Sequence, residues 1–496
     1  MIKKILKLEN LGSYLSNPIQ NSDSWNGEFQ KNTIIFGENG TGKTTLSILL
    51  SSLKGDNNLL KEKVSINSDG RQEISILLED NTKCIYTNNA WGKHCPNIEV
   101  FDAHYIEDNI YIGSSLSNSA RNNLFGIVVG ENGLRISSQL IELYDNKDYF
   151  VKSRKQLRNR LRYEKIDLQD EVLEDINFQI KSLTNEIRFK QNQIKQLNIE
   201  LGEYSKTIFE GHIETVNKYL KYFTPYIQLR KFSKENSGAK QFVSYSLSVS
   251  GETVGFEKMK GGSRRKVKYS LSEGDKSAFA FAFFLANLEN INVKDKIVVF
   301  DDPISSFDQS RRNATINQLL RISQNSKQLF VLTHDIYFAK ALSRKFEKKT
   351  SLCLKIQKKA GKSVIFCHDI ESETLTGIFK DINVLNNYIK HGAENELEKR
   401  EVIRCIRPII EGILRIKYFN EIRRDEWIGD MIGKIESSVE GGRLFRLKKN
   451  LDEIVDINSY SKEFHHSDPT NPWGDVINDE ELRLYVQKTL LLIDEI

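Results

Sequence analysis

A run of glycines between residues 37 and 44 has the spacing of a phosphate-binding loop. Residues 32–45 read NTIIFGENGTGKTT, so a short apolar strand leads into the glycines and a helix-like segment follows them. In such a loop, backbone N–H groups turn toward phosphate oxygens, the lysine reaches the β- and γ-phosphates, and the threonine hydroxyl ligates Mg²⁺. The sequence therefore predicts a site for ATP and Mg²⁺. Its predicted binding residues are Gly37, Asn39, Gly40, Gly42, Lys43, Thr44 and Thr45.

Two carboxylates end an apolar strand far downstream of this loop. Residues 296–308 read KIVVFDDPISSFD, which is the pattern of a strand buried in a parallel sheet. We expect Asp301 to join Thr44 as a Mg²⁺ ligand and Asp302 to orient or deprotonate the attacking water. Residues 328–338, QLFVLTHDIYF, predict another buried strand that ends at His334. The position of Asp302 is often occupied by a glutamate in such motifs, and an aspartate reaches one methylene less far toward the water. We therefore expect slow or tightly gated hydrolysis.

A third motif precedes the carboxylates. Residues 271–288 read LSEGDKSAFAFAFFLANL, with Ser272 and Gly274 at the start of an apolar helix. In this order the motifs resemble those of the ATP-binding-cassette ATPases of the SMC-like branch, which implies an α/β fold. The resemblance also implies a homodimer that sandwiches ATP, in which Ser272 and Gly274 act in trans, Asp308 lies at the seam and His334 contacts the γ-phosphate.

One position departs from that family pattern. The family usually has a glutamine after an early strand, whereas residues 98–109, IEVFDAHYIEDN, offer Asp102 and His104. His104 either substitutes for the glutamine or is a surface or packing residue.

Between the ATPase motifs, apolar residues from Leu173 to Tyr204 follow a heptad pattern that only Lys190 interrupts. Residues 136–165 also have a helical pattern, which predicts a short antiparallel coiled-coil hairpin of about 50 Å. This length and the lack of a Cys-x-x-Cys tip disfavour long-range DNA tethering. The first arm is basic, either as a solvated helix face or as a phosphate-contacting stripe. Its cations are Lys152, Arg154, Lys155, Arg158, Arg160, Arg162 and Lys165.

The C-terminal region has a helical pattern and could carry a second activity. Arg407 and Glu411 are four residues apart and share a helix face, while His465 and His466 lie in a downstream loop. An Arg, a Glu and a His can cleave RNA without metal, since His or Glu moves protons and Arg stabilises the charged phosphorane. An Arg and Glu pair at this spacing is, however, more commonly an ordinary helix salt bridge.

Two families combine such an ATPase with a helical C-terminal region. The chain resembles the PrrC/RloC-type anticodon nucleases, which implies a HEPN-like domain with Arg407, Glu411 and His466 as catalytic residues and tRNA as substrate. His465 is the alternative to His466, which fits better because Ser467 follows it. It also resembles the ATPase subunit of the Septu antiphage system, which accompanies some retrons and works with a separate HNH nuclease. In that interpretation the partners are the nuclease or a retron reverse transcriptase and its RNA. A DNA-repair ATPase of the SMC type is the third alternative.

Four segments are predicted in the 496 residues, and both composition and charge constrain them. They are an ATPase N-lobe (1–135), the hairpin (136–205), an ATPase C-lobe (206–370) and a HEPN-like domain (371–496). From Glu371 onward there are 18 Lys and Arg against 25 Asp and Glu, although the whole chain carries a net charge of +5. We therefore expect a polyanion to bind the N-terminal part first. The five scattered cysteines and the lack of a signal or membrane-spanning run predict a cytoplasmic protein with reduced thiols and no membrane partner.

Overall fold

The computed structural model describes residues 1–17, 25–55, 57–66, 70–110, 118–164, 169–237, 240–254, 270–303, 309–464 and 477–496. The chain divides into two compact units, Met1–His368 and Asp369–Ile496. The first unit has a mixed α/β fold, and the regular elements described in the second are helices. In these ranges, no helix combines the length and the apolar character that crossing a bilayer requires.

The described strands all belong to the first unit and lie in three sheets. In chain order they are β1 (Ile2–Leu11), β2 (Tyr14–Asn17), β3 (Asn32–Gly37), β4 (Glu73–Leu78), β5 (Lys83–Thr87), β6 (Ala90–Trp91), β7 (Ile98–Phe101), β8 (Ile227–Ser237), β9 (Lys240–Val249), β10 (Glu252–Val254), β11 (Ile297–Asp301), β12 (Gln328–Thr333), β13 (Ser351–Lys359) and β14 (Lys362–Cys367).

The described helices are distributed over both units. In chain order they are α1 (Lys43–Ser52), α2 (Asn58–Lys61), α3 (Ala103–Asn109), α4 (Asn118–Glu164), α5 (Asp170–Phe223), α6 (Glu273–Asn290), α7 (Gln309–Asn325), α8 (Ile336–Ser343), α9 (Ile370–Glu373), α10 (Ile378–His391), α11 (Glu396–Lys417), α12 (Ile428–Glu436), α13 (Leu451–Glu463) and α14 (Asp479–Glu495).

A mostly parallel sheet in the order β14-β13-β3-β12-β11-β7 positions the predicted ATPase motifs. β14 alone is antiparallel to its neighbour in this sheet, and β3 and β12 are buried along their whole length. Buried parallel strands explain the uninterrupted apolar runs in the sequence. Because parallel strands end at the same edge, the residues that follow β3, β11 and β12 come together there.

The two other sheets are antiparallel. The order β2-β1-β4-β5-β6 gives one, and its buried side chains share a core with α1 and the central sheet. The second has the order β10-β9-β8. Helix α6 is buried on all sides because it lies between this sheet and the central one: Phe279 contacts Tyr245 of β9 with ring centroids 5.2 Å apart, and Phe281 contacts Phe300 of β11 at 5.6 Å.

Helices α4 and α5 pack against each other as a hairpin, with Arg154 Nη1 donating to Thr184 Oγ1 at 3.3 Å. Both helices are longer than the sequence pattern predicts. α4 includes residues before 136 and bends at Gly130, whose φ of 67° is outside the helical region. α5 continues past Tyr204 because Val216 and Leu220 are buried, and this segment packs on α6.

The second unit is built around α11, which buries an apolar stripe. Its residues Val402, Ile406, Ile410 and Leu414 follow the three-to-four spacing of one helix face. Helices α10, α12, α13 and α14 contribute to the same core.

Candidate nucleotide-binding site

The loop between β3 and α1 has the backbone shape that its glycines predict. Gly40 and Gly42 have φ values of 78° and 109°, which favour glycine. At Gly42 a Cβ atom would also lie 3.0 Å from the ring of Tyr14. A residue with a side chain at position 42 would therefore be strained by its backbone and would press on Tyr14.

Lys43 lies with its ammonium group at the centre of this loop. Its Nζ donates to the carbonyl oxygens of Gly37 at 2.8 Å and Glu38 at 3.1 Å, and it lies 3.9 Å from Asp302 Oδ2. Only 5% of the side chain is exposed. A cation held here by neutral carbonyls and one carboxylate is suited to a phosphate.

The carboxyl group of Asp301 is suited to a metal ion. Burial, the neighbouring charge of Asp302 and a smaller effect of Asp102 raise its pKa to about 7, while a hydrogen bond with Thr44 and the charge of Lys43 act against this rise. Its Oδ1 atom is buried and has no hydrogen-bond partner among the described residues. An unpartnered carboxylate oxygen beside the Thr44 hydroxyl is the donor set that Mg²⁺ takes next to phosphates. Thr44 and Asp301 therefore fit the predicted ion.

Asp302 bridges two strands of the central sheet. Its Oδ1 accepts from the backbone N–H of His334 at 2.9 Å and lies 2.8 Å from His334 Nδ1. Its own N–H donates to Leu332 O at 2.9 Å, and its φ of 48° lies in the left-handed region, which is costly for a residue with a side chain. The structure thus holds Asp302 and His334 together, next to Lys43.

Asp102 and His104 lie where the SMC-like ATPases usually have a glutamine, and the structure places both at the start of α3. Asp102 is buried and caps α3, because its Oδ1 accepts from the N–H of Tyr105 at 2.7 Å. His104 lies within the first turn of α3 and is half-buried.

Ser272 caps α6 and takes part in a polar cluster around the buried carboxylate of Asp275, which no sequence motif predicted as a whole. The carboxylate of Asp275 accepts from Ser272 Oγ at 2.7 Å, from Tyr226 Oη at 2.5 Å and from Arg311 Nη2 at 2.9 Å. Burial raises the pKa of Asp275, but the hydrogen bonds from Tyr226, Ser272 and Arg311 outweigh this effect and lower it below its usual range. Gly274 follows in the first turn of α6. Ser272 followed by an aspartate three residues later is a capping-box pattern, so the sequence could have predicted the contact between Ser272 and Asp275.

We call these four residues, Ser272, Asp275, Tyr226 and Arg311, the Asp275 cluster. Tyr226 follows the end of α5, and Arg311 lies in the first turn of α7 after the carboxylate motif. The cluster joins the predicted signature motif to the base of the helical hairpin. Asp308 lies outside the described residues.

In the second unit, the buried Glu411 carboxylate is at the centre of a group of ion pairs with two partly exposed arginines. Its Oε1 accepts from Arg407 Nε at 3.0 Å and from the N–H of Ile428 at 3.1 Å, while its Oε2 accepts from Arg415 Nη2 at 3.2 Å. Only 5% of the Glu411 side chain is exposed, against 26% of Arg407. The Arg407 guanidinium also lies over the ring of Trp427, 5.7 Å from its centroid. Arg407 and Glu411 are thus adjacent, and Glu411 is fully engaged.

His465 and His466 lie outside the described residues. The second unit therefore gives a position for two of the three residues predicted to cleave RNA.

Solved structures of SMC proteins show a distant likeness to this chain. An Smc head domain with an extended coiled coil bound to the C-terminal domain of ScpA, from Pyrococcus furiosus, is 15% identical over 75% of this chain and 97% of its own, with a TM-score of 0.40. An Smc head domain with a coiled coil and joint from Pyrococcus yayanosii is 14% identical over 75% of this chain and 97% of its own, with a TM-score of 0.42. An SmcHead bound to the C-winged helix domain of ScpA is 13% identical over 75% of this chain and 99% of its own, with a TM-score of 0.39.

No curated protein is similar enough to this chain to count as a match. A family model described as an AAA domain, AAA_13, matches residues 137–451. The match covers more than half of the chain and includes Asp301, Asp302 and His334. The chain therefore belongs to this family of AAA domain proteins.

Proposed function

We propose that this chain binds ATP at the loop between β3 and α1 and hydrolyses it with Asp302 and His334. The observation that carries the proposal is the Asp302 carboxylate, which lies between the Lys43 ammonium and the His334 ring at the carboxyl edge of the sheet. Lys43 and the loop N–H groups bind the phosphates. Asp302 orients the attacking water, and His334 contacts the γ-phosphate.

Mg²⁺, held by Thr44 and Asp301, would neutralise charge on the phosphate oxygens. The Lys43→Ala variant tests the site, because it removes the cation that reaches the phosphates. We expect it to lose Mg·ATP binding while it keeps its circular dichroism spectrum. Tight Mg·ATP binding by this folded variant would refute the site assignment.

We propose that ATP controls the activity of the protein by joining two copies of the chain, with an ATP molecule sandwiched at each of the two sites. Ser272 and Gly274 of one copy would complete the site of the other, and the Asp275 cluster would pass this state to the helical hairpin. ATP-dependent dimers of the wild-type chain that Lys43→Ala cannot form would support this control by dimerisation. Wild type that stays monomeric with a slowly hydrolysed ATP analogue would contradict it.

The proposed output is RNA cleavage in antiphage defence, at a tRNA anticodon loop. Arg407 is the part of the predicted catalytic set that is best placed for RNA, because its guanidinium is partly exposed beside the Trp427 ring, where a base or phosphate can reach both. Glu411, with both oxygens engaged, would hold Arg407 in position. Proton transfer would then fall to His466.

A second output is favoured by the full burial of Glu411. If the group around Glu411 only stabilises the fold, the second unit serves for docking, and a separate HNH nuclease of the Septu type cuts nucleic acid. Each output predicts a different result from sequencing the 3′ ends of small RNA in cells that express the chain alone.

Wild type, Arg407→Ala, Lys43→Ala and the matched control Arg404→Ala would be compared. Arg404 is exposed and lies one helical turn from Arg407. Cuts at one anticodon loop in wild type and Arg404→Ala only would support intrinsic cleavage under ATP control. Cuts that persist in Arg407→Ala would exclude the predicted residue. No cuts in any strain, together with a nuclease that co-purifies from its native host, would favour the second output.

A further inference from the structure

Helices α4 and α5 bring cations from two distant parts of the sequence onto one face. The contact between Arg154 and Thr184 fixes how the antiparallel helices are aligned. On α5, the buried residues Ile187, Ile194 and Leu201 mark the seam at intervals of seven. In an antiparallel pair, the positions just after the seam on one helix lie on the same side as those just after the seam on the other.

On α4 these positions carry three exposed cations within two turns, and on α5 they carry three more at intervals of seven residues. We call this set the hairpin cationic face. Its members are Lys155, Arg158 and Arg162 from α4 and Lys181, Arg188 and Lys195 from α5.

None of the six forms an ion pair with a described residue, so their charges are available to a ligand. Asp148 and Glu174 lie on the same side toward the two ends, which leaves the face strongly positive. From the level of Arg162 to that of Lys195 it extends about 28 Å at 1.5 Å per residue. Duplex DNA carries one phosphate charge per roughly 1.7 Å of its axis, so a partner of this class presents many phosphates over such a length.

The aromatic residues of the hairpin point to a duplex in preference to a single strand. Tyr149, Tyr163, Phe178 and Phe189 are exposed at other helix positions, and of these rings Tyr163 lies under a cation of the face, with the Arg162 guanidinium 5.8 Å from its centroid. Proteins that bind single strands combine cations with aromatic rings on which bases stack. Apart from Arg162, no cation of this face lies over a ring of a described residue, so the face is suited mainly to the phosphate backbone.

We infer that the hairpin cationic face binds the phosphate backbone of a nucleic-acid duplex, independently of base sequence. This inference goes beyond the proposed ATPase and nuclease functions and does not require either of them. It assigns a role to the second arm, in which the sequence showed only a heptad seam.

The test uses the full chain and fluorescence anisotropy of labelled DNA and RNA duplexes of about 25 base pairs, over about 50–200 mM KCl. The variant Arg158→Gln, Lys181→Gln, Arg188→Gln removes three charges, two of them from α5. We expect at least about tenfold weaker binding and a log–log salt slope reduced by about 2.7, which corresponds to three released counterions. The control Arg135→Gln, Arg160→Gln, Lys206→Gln removes three exposed charges from other sides of the hairpin and should keep the wild-type slope.

Binding of either duplex with this pattern supports the inference and identifies which duplex is preferred. An unchanged slope in the face variant, an equal loss in the control variant, or no binding of either duplex by wild type would overturn it. Tighter binding of a single strand of equal length would also overturn it. The rate of ATP hydrolysis without nucleic acid should be equal in all three proteins, so a failed duplex test leaves the proposed ATP site untouched.

Discussion

His334 Nδ1 lies 2.8 Å from Asp302 Oδ1, and the backbone N–H of His334 donates to the same oxygen at 2.9 Å. A carboxylate that accepts from Nδ1 fixes the ring and leaves Nε2 available for a phosphate oxygen. In the proposed mechanism Asp302 therefore has two roles, because it orients the attacking water and also sets the direction of the histidine that follows β12.

The variant Asp302→Asn should separate ATP binding from hydrolysis. Lys43 keeps its contacts with Gly37 and Glu38, so we expect ATP affinity within about threefold of wild type. Hydrolysis should slow by about a hundredfold or more, because the general base is lost and the amide oxygen that replaces the carboxylate holds His334 less strongly. Single-turnover hydrolysis and binding of a fluorescent ATP analogue measure the two effects. ATP-bound dimers should accumulate in gel filtration.

Asp335→Asn is the matched control for this variant. Asp335 follows His334 but caps α8 and pairs with Arg312 at 2.7 Å, so its loss should leave hydrolysis within a few fold of wild type. Equal loss of turnover in both variants, or normal turnover in Asp302→Asn, would contradict the role given to Asp302.

The Asp275 cluster should contribute strongly to stability. Asp275→Ala leaves the buried Arg311 guanidinium without its carboxylate, so we expect the free energy of unfolding to fall by about 3 kcal/mol or more. Glu273→Ala is the control in the same helical turn. Glu273 is 80% exposed and, within the described part of the chain, pairs with Lys276, and its loss should cost less than about 1 kcal/mol.

A double-mutant cycle with Arg311→Ala tests whether the two residues act together. Denaturant unfolding of the four proteins should give a coupling energy above about 1 kcal/mol. Additive effects would show that the contact between Asp275 and Arg311 contributes little.

The residues of the proposed ATP site could be recognised in the sequence because each part of the site is a short continuous motif. The glycines, Lys43, Asp301 and His334 each follow a buried strand, and parallel strands bring their ends together. The Asp275 cluster was not predictable in this way, since Tyr226 and Arg311 lie 49 and 36 residues from Asp275 and no local pattern links them. The left-handed backbone of Asp302 depends likewise on contacts across strands.

The fold shows the same limit. The heptad pattern indicated the seam of α5, but not that the helix continues to Phe223, because that part is buried by α6 and not by a heptad partner. Strand β9 does carry a strand pattern, since Val243, Tyr245, Leu247 and Val249 alternate with serines, whereas β8 was not predictable because its segment KFSKEN has little apolar periodicity. Tertiary contacts decide such segments.

Glu411 allows its structural and catalytic roles to be separated. Glu411→Ala removes the carboxylate that Arg407 and Arg415 share. We therefore expect the free energy of unfolding of the second unit to fall by about 3–5 kcal/mol. Glu401→Ala removes an exposed pair with Arg404 from the same helix and should cost less than about 1 kcal/mol. Thermal unfolding followed by circular dichroism compares them. A Glu411→Ala protein of wild-type stability would show that the group is not structural.

Acid stability should depend on His212, a buried residue of α5 that belongs to no sequence motif. His212 lies on α5 against the ring of Phe283, with centroids 4.7 Å apart, and its Nδ1 is 3.0 Å from Asn290 Nδ2. Because an amide N–H can only donate, Nδ1 is the acceptor and the ring is neutral. Burial lowers the pKa of His212 to about 4.

The unfolded chain takes up a proton on this ring near pH 6.5, whereas the folded chain resists protonation down to about pH 4. Between these values the unfolded state binds more protons, so the free energy of unfolding falls as the pH is lowered, by roughly 3 kcal/mol over the window. Urea unfolding at about pH 4.5 and pH 7 should show that His212→Phe loses most of this dependence, while the exposed control His94→Gln keeps it. Equal pH dependence in wild type and His212→Phe would mean that other groups govern acid stability, and that the contact between α5 and α6 does not depend on a neutral His212.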